Sequence, residues 1–168
     1  METNKVKLSV PCNKEETLPE TFIYQTPYST EKLELVVDYV MIPDFMGVEK
    51  RVVYLAAKDA ETGESYAVFS KYFGEFIGQI CTTYIDTNNL PEAEKFLVEN
   101  HIGFKTPFTK TSGYCEYPLF VINPKLLAQT SEWENYLEDF VFFEGQEKMS
   151  TDTLVDMFYE MLNKTYVE

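Results

Sequence analysis

Residues 51–86 have the sequence RVVYLAAKDAETGESYAVFSKYFGEFIGQICTTYID, which predicts successive strands of an antiparallel sheet around which the rest of the chain is organised. Two runs rich in β-branched and aromatic residues, 52–58 and 66–72, flank a short polar segment. This segment contains Gly63, which can adopt the positive φ that a tight connection between antiparallel strands requires. The pattern predicts a β-hairpin, followed by another strand over residues 80–86.

Strands are also predicted on both sides of this hairpin. Residues 33–42, with the sequence LELVVDYVMI, are rich in β-branched residues and are followed by Pro43, which ends the strand. Residues 5–10 alternate apolar and polar side chains, which indicates a short edge strand. Residues 117–122 predict one more strand, whereas residues 104–116 are predicted to form a loop because they contain Lys, Thr, Pro and Ser-Gly.

Helical patterns are concentrated in the second half of the chain. Asn88 or Asn89 is predicted to cap a first helix, which ends at Gly103. Residues 131–134, Ser-Glu-Trp-Glu, have the form of a capping box and predict a second helix. A third helix is predicted to begin near Ser150.

Strands grouped early and helices grouped late are typical of an α+β fold. We therefore expect a single α+β domain over residues 1–168. It should contain an antiparallel sheet of about five or six strands, with three helices mainly on one side. The length of 168 residues and the hydrophobic content of 45 % are sufficient for one domain with a buried core.

The chain is strongly acidic. Its formal net charge of −14 results from 28 acidic residues against 14 basic ones, and Arg51 is the sole arginine. Direct binding to nucleic acid is not expected, because phosphate contact requires a basic surface and is favoured by arginine. An acidic surface is compatible with a basic protein partner or with cations, and it can also serve solubility alone.

The cysteines and the start of the chain indicate a compartment. Cys12, Cys81 and Cys115 lie far apart without CxxC spacing, and we interpret them as free thiols in a reducing environment. The first ten residues contain no apolar signal-peptide core, and no apolar run approaches the length of a membrane span. A cytoplasmic protein without membrane contact is therefore expected.

The second predicted helix and its flanks are unusually acidic. Residues 126–147 contain no lysine or arginine and six acidic residues: Glu132, Glu134, Glu138, Asp139, Glu144 and Glu147. Glu134 and Glu138 stand four positions apart, which costs an isolated helix roughly 0.2–0.5 kcal/mol. Regularly spaced carboxylates can imitate a phosphate backbone, so these six residues are the predicted partner-binding surface. The alternative is a solvated helix face in an acidic protein.

A thiol nucleophile is the second hypothesis. Cys115, the single histidine His101 and Asp86 have the residue types of a thiol activated by an imidazole that a carboxylate orients. A lone histidine near a helix C-terminus also serves as a cap or as a partner of the helix dipole. One histidine and three scattered cysteines form no recognisable metal-ligand set, so neither a metal nor a cofactor is expected.

The predicted loop over residues 104–116 is the third candidate site. It combines aromatic, basic and hydroxyl side chains that could hold an anionic ligand, namely Lys105, Phe108, Lys110, Ser112 and Tyr114. The alternative is that the aromatic rings anchor the loop to the core and that the lysines are ordinary surface charges.

Three stretches in the middle of the chain stand out: residues 70–78 (SKYFGEFIG), 84–89 (YIDTNN) and 111–120 (TSGYCEYPLF). They resemble an uncharacterised family of small acidic proteins carried on conjugative and other mobile elements of Gram-positive gut bacteria, and the likeness covers residues 53–123. The family has no assigned activity, so no residue inherits a role from it. The resemblance implies a genetic context in which small acidic proteins often disarm host defences by binding a restriction or CRISPR nuclease where its nucleic acid would lie.

Charge, motifs and resemblance together favour a non-enzymatic acidic protein that binds a basic protein partner. Inhibition of a nucleic-acid-targeting defence nuclease, by occupation of its basic groove, is the expected consequence. Two alternatives remain open: a small thiol-dependent enzyme that uses Cys115 and His101, and a ligand-binding module based on residues 104–116.

Overall fold

The computed structural model describes residues 6–167. Within this range the fold is α+β, with two four-stranded antiparallel sheets and four helices. The first sheet has the order β1-β2-β3-β4 and the second the order β5-β6-β8-β7. In chain order the elements are β1 (Phe22–Gln25), β2 (Thr30–Pro43), β3 (Glu49–Asp59), β4 (Ser65–Val68), β5 (Ser70–Lys71), β6 (Thr82–Ile85), α1 (Ala93–Glu99), β7 (Gly103–Ser112), β8 (Cys115–Ile122), α2 (Pro124–Leu127), α3 (Trp133–Glu138) and α4 (Thr151–Tyr166).

The predicted α+β class and the hairpin within residues 51–86 are confirmed, but the single sheet of five or six strands and the count of three helices are wrong. The β3–β4 turn has Gly63 at φ 76°, and the Asp59 carboxylate accepts the amides of Glu61 and Thr62 at 2.8 and 2.9 Å. The sheets separate at Phe69, whose amide donates to Leu55 while its carbonyl accepts from Asp86. One continuous β-rich stretch of sequence therefore contributes strands to both sheets.

The loop predicted over residues 104–116 is wrong, because these residues form most of a second hairpin. β7 pairs antiparallel with β8 from Gly103 opposite Ile122 to Ser112 opposite Cys115. Pro107 lies within a register shift between Lys105 and Thr109, where the ladder does not require its missing amide hydrogen. Because β7 is an edge strand, most of its polar side chains face solvent.

The predicted N-terminal strand over residues 5–10 is also wrong. Leu8 forms a single parallel bridge with Val167, in which its amide donates to the Tyr166 carbonyl at 2.9 Å. Lys5 lies outside the described residues. This segment pairs next to the end of α4 rather than with a sheet, a contact between chain ends that local alternation cannot indicate.

Helix capping agrees with the sequence at one of three sites. Ser150 caps α4 as predicted and accepts the Thr153 amide at 3.4 Å. The helix α1 instead has Glu92 at its N-cap, without a side-chain bond, so the prediction of Asn88 or Asn89 is wrong. The prediction of a capping box at residues 131–134 is wrong as well, because Glu132 is the N-cap of α3 and no side chain caps this helix.

The core lies between the two sheets and their helices. A principal cluster unites residues of β3, β6, β8, α1 and α3, and Phe69, Phe120 and Tyr136 are among its largest fully buried side chains. A second cluster forms where α4 packs, around Phe158 and Leu162. No helix within residues 6–167 has the length and apolar character that crossing a membrane requires.

Candidate functional site

Two of the six predicted partner-binding carboxylates are bound internally by Arg51. Its guanidinium lies 3.0 Å from Glu132 through Nη2 and 3.1 Å from Asp139 through Nη1, and its backbone amide donates to Asp139 at 2.8 Å. The planar fork of arginine suits two carboxylates at once. This contact holds α3 against β3. Glu132 and Asp139 therefore stabilise the fold, whether or not they also bind a partner.

Two more of the carboxylates share a lysine just beyond the acidic segment. Lys148 Nζ lies 3.0 Å from Glu134 and 3.6 Å from Glu138, and the hydrogen bond to Glu134 raises the pKa of the lysine. The repulsion expected between these two glutamates is therefore relieved in the folded chain. Glu144 and Glu147 are exposed and have no basic partner within residues 6–167.

Negative charge still exceeds positive charge around α3. Residues 44–51 and 131–150, which comprise the β2–β3 turn, α3 and the loop after it, contain eight carboxylates and three cations. We call these eight carboxylates the acidic surface: Asp44, Glu49, Glu132, Glu134, Glu138, Asp139, Glu144 and Glu147. The two segments meet where Arg51 contacts Glu132 and Asp139 and where Lys50 lies over the ring of Phe142.

An apolar patch that the sequence analysis missed lies beside these carboxylates. It consists of Phe45, Met46 and Val48 at the β2–β3 turn and of Phe142 and Phe143 after α3. Phe45 is 98 % exposed and Phe143 is 67 % exposed, which is unusual for large aromatic side chains. The sequence does contain an indication of this patch. The tight turn at Gly47 carries an apolar run, whereas turns normally have polar sequences.

Lys50 joins the two halves of the patch. Its Nζ lies 4.4 Å from the centre of the Phe142 ring, 5.3 Å from that of Phe76 and 3.4 Å from the Asp44 carboxylate. The turn and the loop after α3 are thus held together by cation–π contacts and an ion pair.

The structure does not bring Cys115 and His101 together. Cys115 pairs with Ser112 at one end of the β7–β8 hairpin, whereas His101 precedes Gly103 at the other end. The ten residues of β7 lie between them, which corresponds to roughly 30 Å at a rise of about 3.3 Å per residue. The proposed orienter, Asp86, accepts hydrogen bonds from Asn89 instead.

His101 contacts a different cysteine and a carboxylate near the N-terminus. Cys12 Sγ lies 3.0 Å from His101 Nε2, and Glu16 contacts His101 Nδ1. No local pattern in the sequence indicates this group, because 89 positions separate Cys12 from His101. No group of three or more His, Cys, Asp or Glu side chains within the described residues is arranged to hold a metal ion.

The third candidate site is divided along the β7–β8 hairpin. Phe108 lines a cavity of about 270 Å³, and Lys110 pairs with Glu75 at 2.8 Å beside it. Lys105 lies near the start of β7, where its amide donates to Tyr166, while Ser112 and the fully exposed Tyr114 lie at the far turn. These five residues therefore do not converge on one ligand position.

The fold is α+β, and the segments 44–51 and 131–150 combine an excess of carboxylates with exposed aromatic rings. The model of one protein family, described as a domain of unknown function (DUF4313), matches residues 40–143. The chain belongs to this family, which supports the resemblance to an uncharacterised family. The matched segment includes the whole apolar patch but neither Cys12 nor Glu16. No curated protein and no solved structure matches the chain.

Proposed function

We propose that this protein is a non-enzymatic cytoplasmic binding protein whose acidic surface and apolar patch engage a basic protein partner. The partner is a nucleic-acid-targeting nuclease of the restriction or CRISPR type, and binding inhibits it. The observation that carries this proposal is the exposed patch of three phenylalanines, one methionine and one valine beside an excess of carboxylates.

The apolar patch supports an interface because exposed aromatic rings with a polar rim mark contact sites between proteins. Most of the binding energy in such interfaces comes from a few large anchors that become fully desolvated. Phe45 and Phe143 are the most exposed rings of the patch, so they lose the most water-accessible area in a complex. They are the expected anchors.

The surrounding charge supports a basic partner. Glu144 and Glu147 are exposed without a cation, and Glu134 and Glu138 share only Lys148. A positive surface on the partner would gain favourable Coulomb energy and faster association, whereas an acidic one would be repelled. The same charge opposes direct contact with nucleic acid.

Inhibition of a nuclease follows from the similarity of carboxylates and phosphates as ligands of arginine and lysine. A protein that occupies the basic groove of a nuclease excludes the nucleic acid from it. The resemblance to proteins of bacterial mobile elements supports this choice of partner, because such elements benefit from disarming host defences.

The experiment is a titration against two purified nucleases, an RNA-guided DNA nuclease and a type II restriction endonuclease, with binding and DNA cleavage as readouts. We expect binding and inhibition for at least one. Phe45→Ala and Phe143→Ala should each raise Kd by about tenfold or more, because each removes an anchor. Tyr28→Ala and Tyr114→Ala are matched controls, since both remove an exposed ring outside the patch and should leave Kd unchanged.

Charge reversal tests the electrostatic part separately. The double variant Glu144→Lys/Glu147→Lys should weaken binding and reduce its dependence on salt, because both side chains lack an internal partner. The proposal is abandoned if neither nuclease binds, or if the charge-reversed protein and the Phe45 variant bind as tightly as the natural protein.

A further inference from the structure

Three side chains at the start of the chain and the end of α1 form a linear hydrogen-bonded series. Cys12 Sγ lies 3.0 Å from His101 Nε2, and Glu16 contacts the other ring nitrogen, Nδ1. An ionised carboxylate only accepts, so Nδ1 carries the hydrogen and donates to Glu16. In the neutral imidazole Nε2 is then free to accept the proton of the Cys12 thiol.

Neighbouring groups position the backbone of Cys12 and the carboxylate of Glu16. Asn163 of α4 binds Cys12 twice, accepting its amide at 2.7 Å and donating to its carbonyl at 3.0 Å. The Tyr159 hydroxyl donates to Glu16 at 3.4 Å. His101 adopts φ 57°, a left-handed conformation that is uncommon outside glycine. A thiol next to a base that a third group orients has the geometry of an activated nucleophile.

A cleft of about 370 Å³ borders Cys12. It is lined by Cys12, Tyr159 and Asn163 together with Lys14, Asp156 and Glu160. Lys14 and Asp156 pair at 2.6 Å across it. Cys12 is only 7 % exposed, so the cleft suits a small reactant rather than a folded protein or a long acyl chain.

We propose that Cys12 is a modification site at which His101 acts as general base and small acyl thioesters are the reactants. The thiol proton moves to His101 Nε2, and the sulfur attacks the thioester carbonyl carbon. The original carbon–sulfur bond then breaks, and the leaving thiolate takes the proton from the imidazolium. The products are S-acyl-Cys12 and one free thiol, with no change in oxidation state.

Burial supports the need for a base. Desolvation, together with the nearby Glu16 charge, raises the pKa of the Cys12 thiol to about 11. The resting group is therefore the neutral thiol, which is a weak nucleophile until a base removes its proton. The reaction is stoichiometric and is independent of the proposed binding function.

The test uses the full chain and phenyl thioacetate, with intact mass and peptide mapping as readouts. We expect acetylation at Cys12 faster than at the more exposed Cys115. His101→Asn should lower the Cys12 rate by about 100-fold or more, the usual contribution of a general base. Asparagine tolerates a left-handed backbone, so this variant should fold, as circular dichroism can verify. Cys115→Ala is the control and should leave the Cys12 rate unchanged.

Glu16 is a positioning residue, and its role has a separate readout. In Glu16→Ala the ¹⁵N shifts of the imidazole should show a lower population of the Nδ1–H tautomer, together with slower acetylation. A purely structural role would change neither. The proposal is overturned if Cys12 stays unmodified in folded protein that is acetylated at Cys115, or if the His101→Asn protein reacts at the natural rate.

Discussion

Arg51 has a role in the folded chain that the sequence alone does not indicate. As the sole arginine it argues against nucleic-acid recognition. In the folded chain it is 18 % exposed and binds Glu132 and Asp139, so it holds α3 against β3. The acidic surface therefore depends on a cation beneath it, because without Arg51 the carboxylate of Asp139, which is 12 % exposed, would lose its partner.

Replacing Arg51 should destabilise the fold. We expect Arg51→Met to lower the free energy of unfolding by about 1–3 kcal/mol, because Asp139 becomes a largely buried, uncompensated charge while Glu132 is partly solvated. Urea denaturation measures this. Lys58→Met is the matched control, since the 3.8 Å pair of Lys58 with Glu34 is exposed and should cost less than about 0.5 kcal/mol. Equal stability of both variants would show that the Arg51 contacts are not structural.

The β7–β8 hairpin is the element on which sequence and structure differ most. Its first strand has exposed lysines and threonines and an internal proline, all of which are typical of a loop. Pairing with the buried strand β8 nevertheless holds it in the sheet. Gly103 begins this strand, and a side chain there would meet the Val121 carbonyl oxygen at 2.9 Å.

A methyl group at Gly103 should therefore disturb the start of the hairpin. We expect Gly103→Ala to lower the free energy of unfolding by about 1–3 kcal/mol, because the backbone of β8 must move to relieve the contact. Gly78→Ala is a matched control, since no atom lies within 4 Å of the added carbon and its φ is not positive. Denaturant titration of both variants checks this. A Gly103 variant as stable as the Gly78 variant would contradict the close approach.

At the scale of the whole molecule, two sheets and four helices within residues 6–167 share one principal core, while the net charge of the chain is −14. Ion pairs engage some of the carboxylates, yet acids outnumber bases two to one. Such an excess opposes the compact state through self-repulsion, whereas it aids solubility and the attraction of a basic partner. Stability and binding should therefore respond to salt in opposite directions.

Added salt should stabilise the free protein. Raising the NaCl concentration from about 0.01 M to about 0.15 M shortens the screening length from about 30 Å to about 8 Å and weakens the self-repulsion. We expect the Tm to rise by about 2–4 °C, measured by differential scanning calorimetry. Glu144→Gln/Glu147→Gln, with two fewer charges, should show a smaller rise. If salt lowers the Tm, attractive ion pairs outweigh the repulsion.

Features that depend on residues close together in the chain can be predicted from its sequence. The α+β class, the β3–β4 hairpin with Gly63 at its turn, and the cap at Ser150 all follow from local backbone preferences and short-range hydrogen bonds. The acidic character of α3 and its flanks was equally visible. The partners of those charges were not, because Arg51 lies 81 positions from Glu132.

Features that join distant parts of the chain arise only when the whole molecule folds. The division into two sheets occurs at Phe69 inside one continuous β-rich run, since its amide and carbonyl bind different strands. The apolar patch arises because Lys50 brings a turn and a loop together, and His101 binds Cys12 rather than Cys115. Local patterns cannot specify such contacts, because they depend on the packing of the whole core.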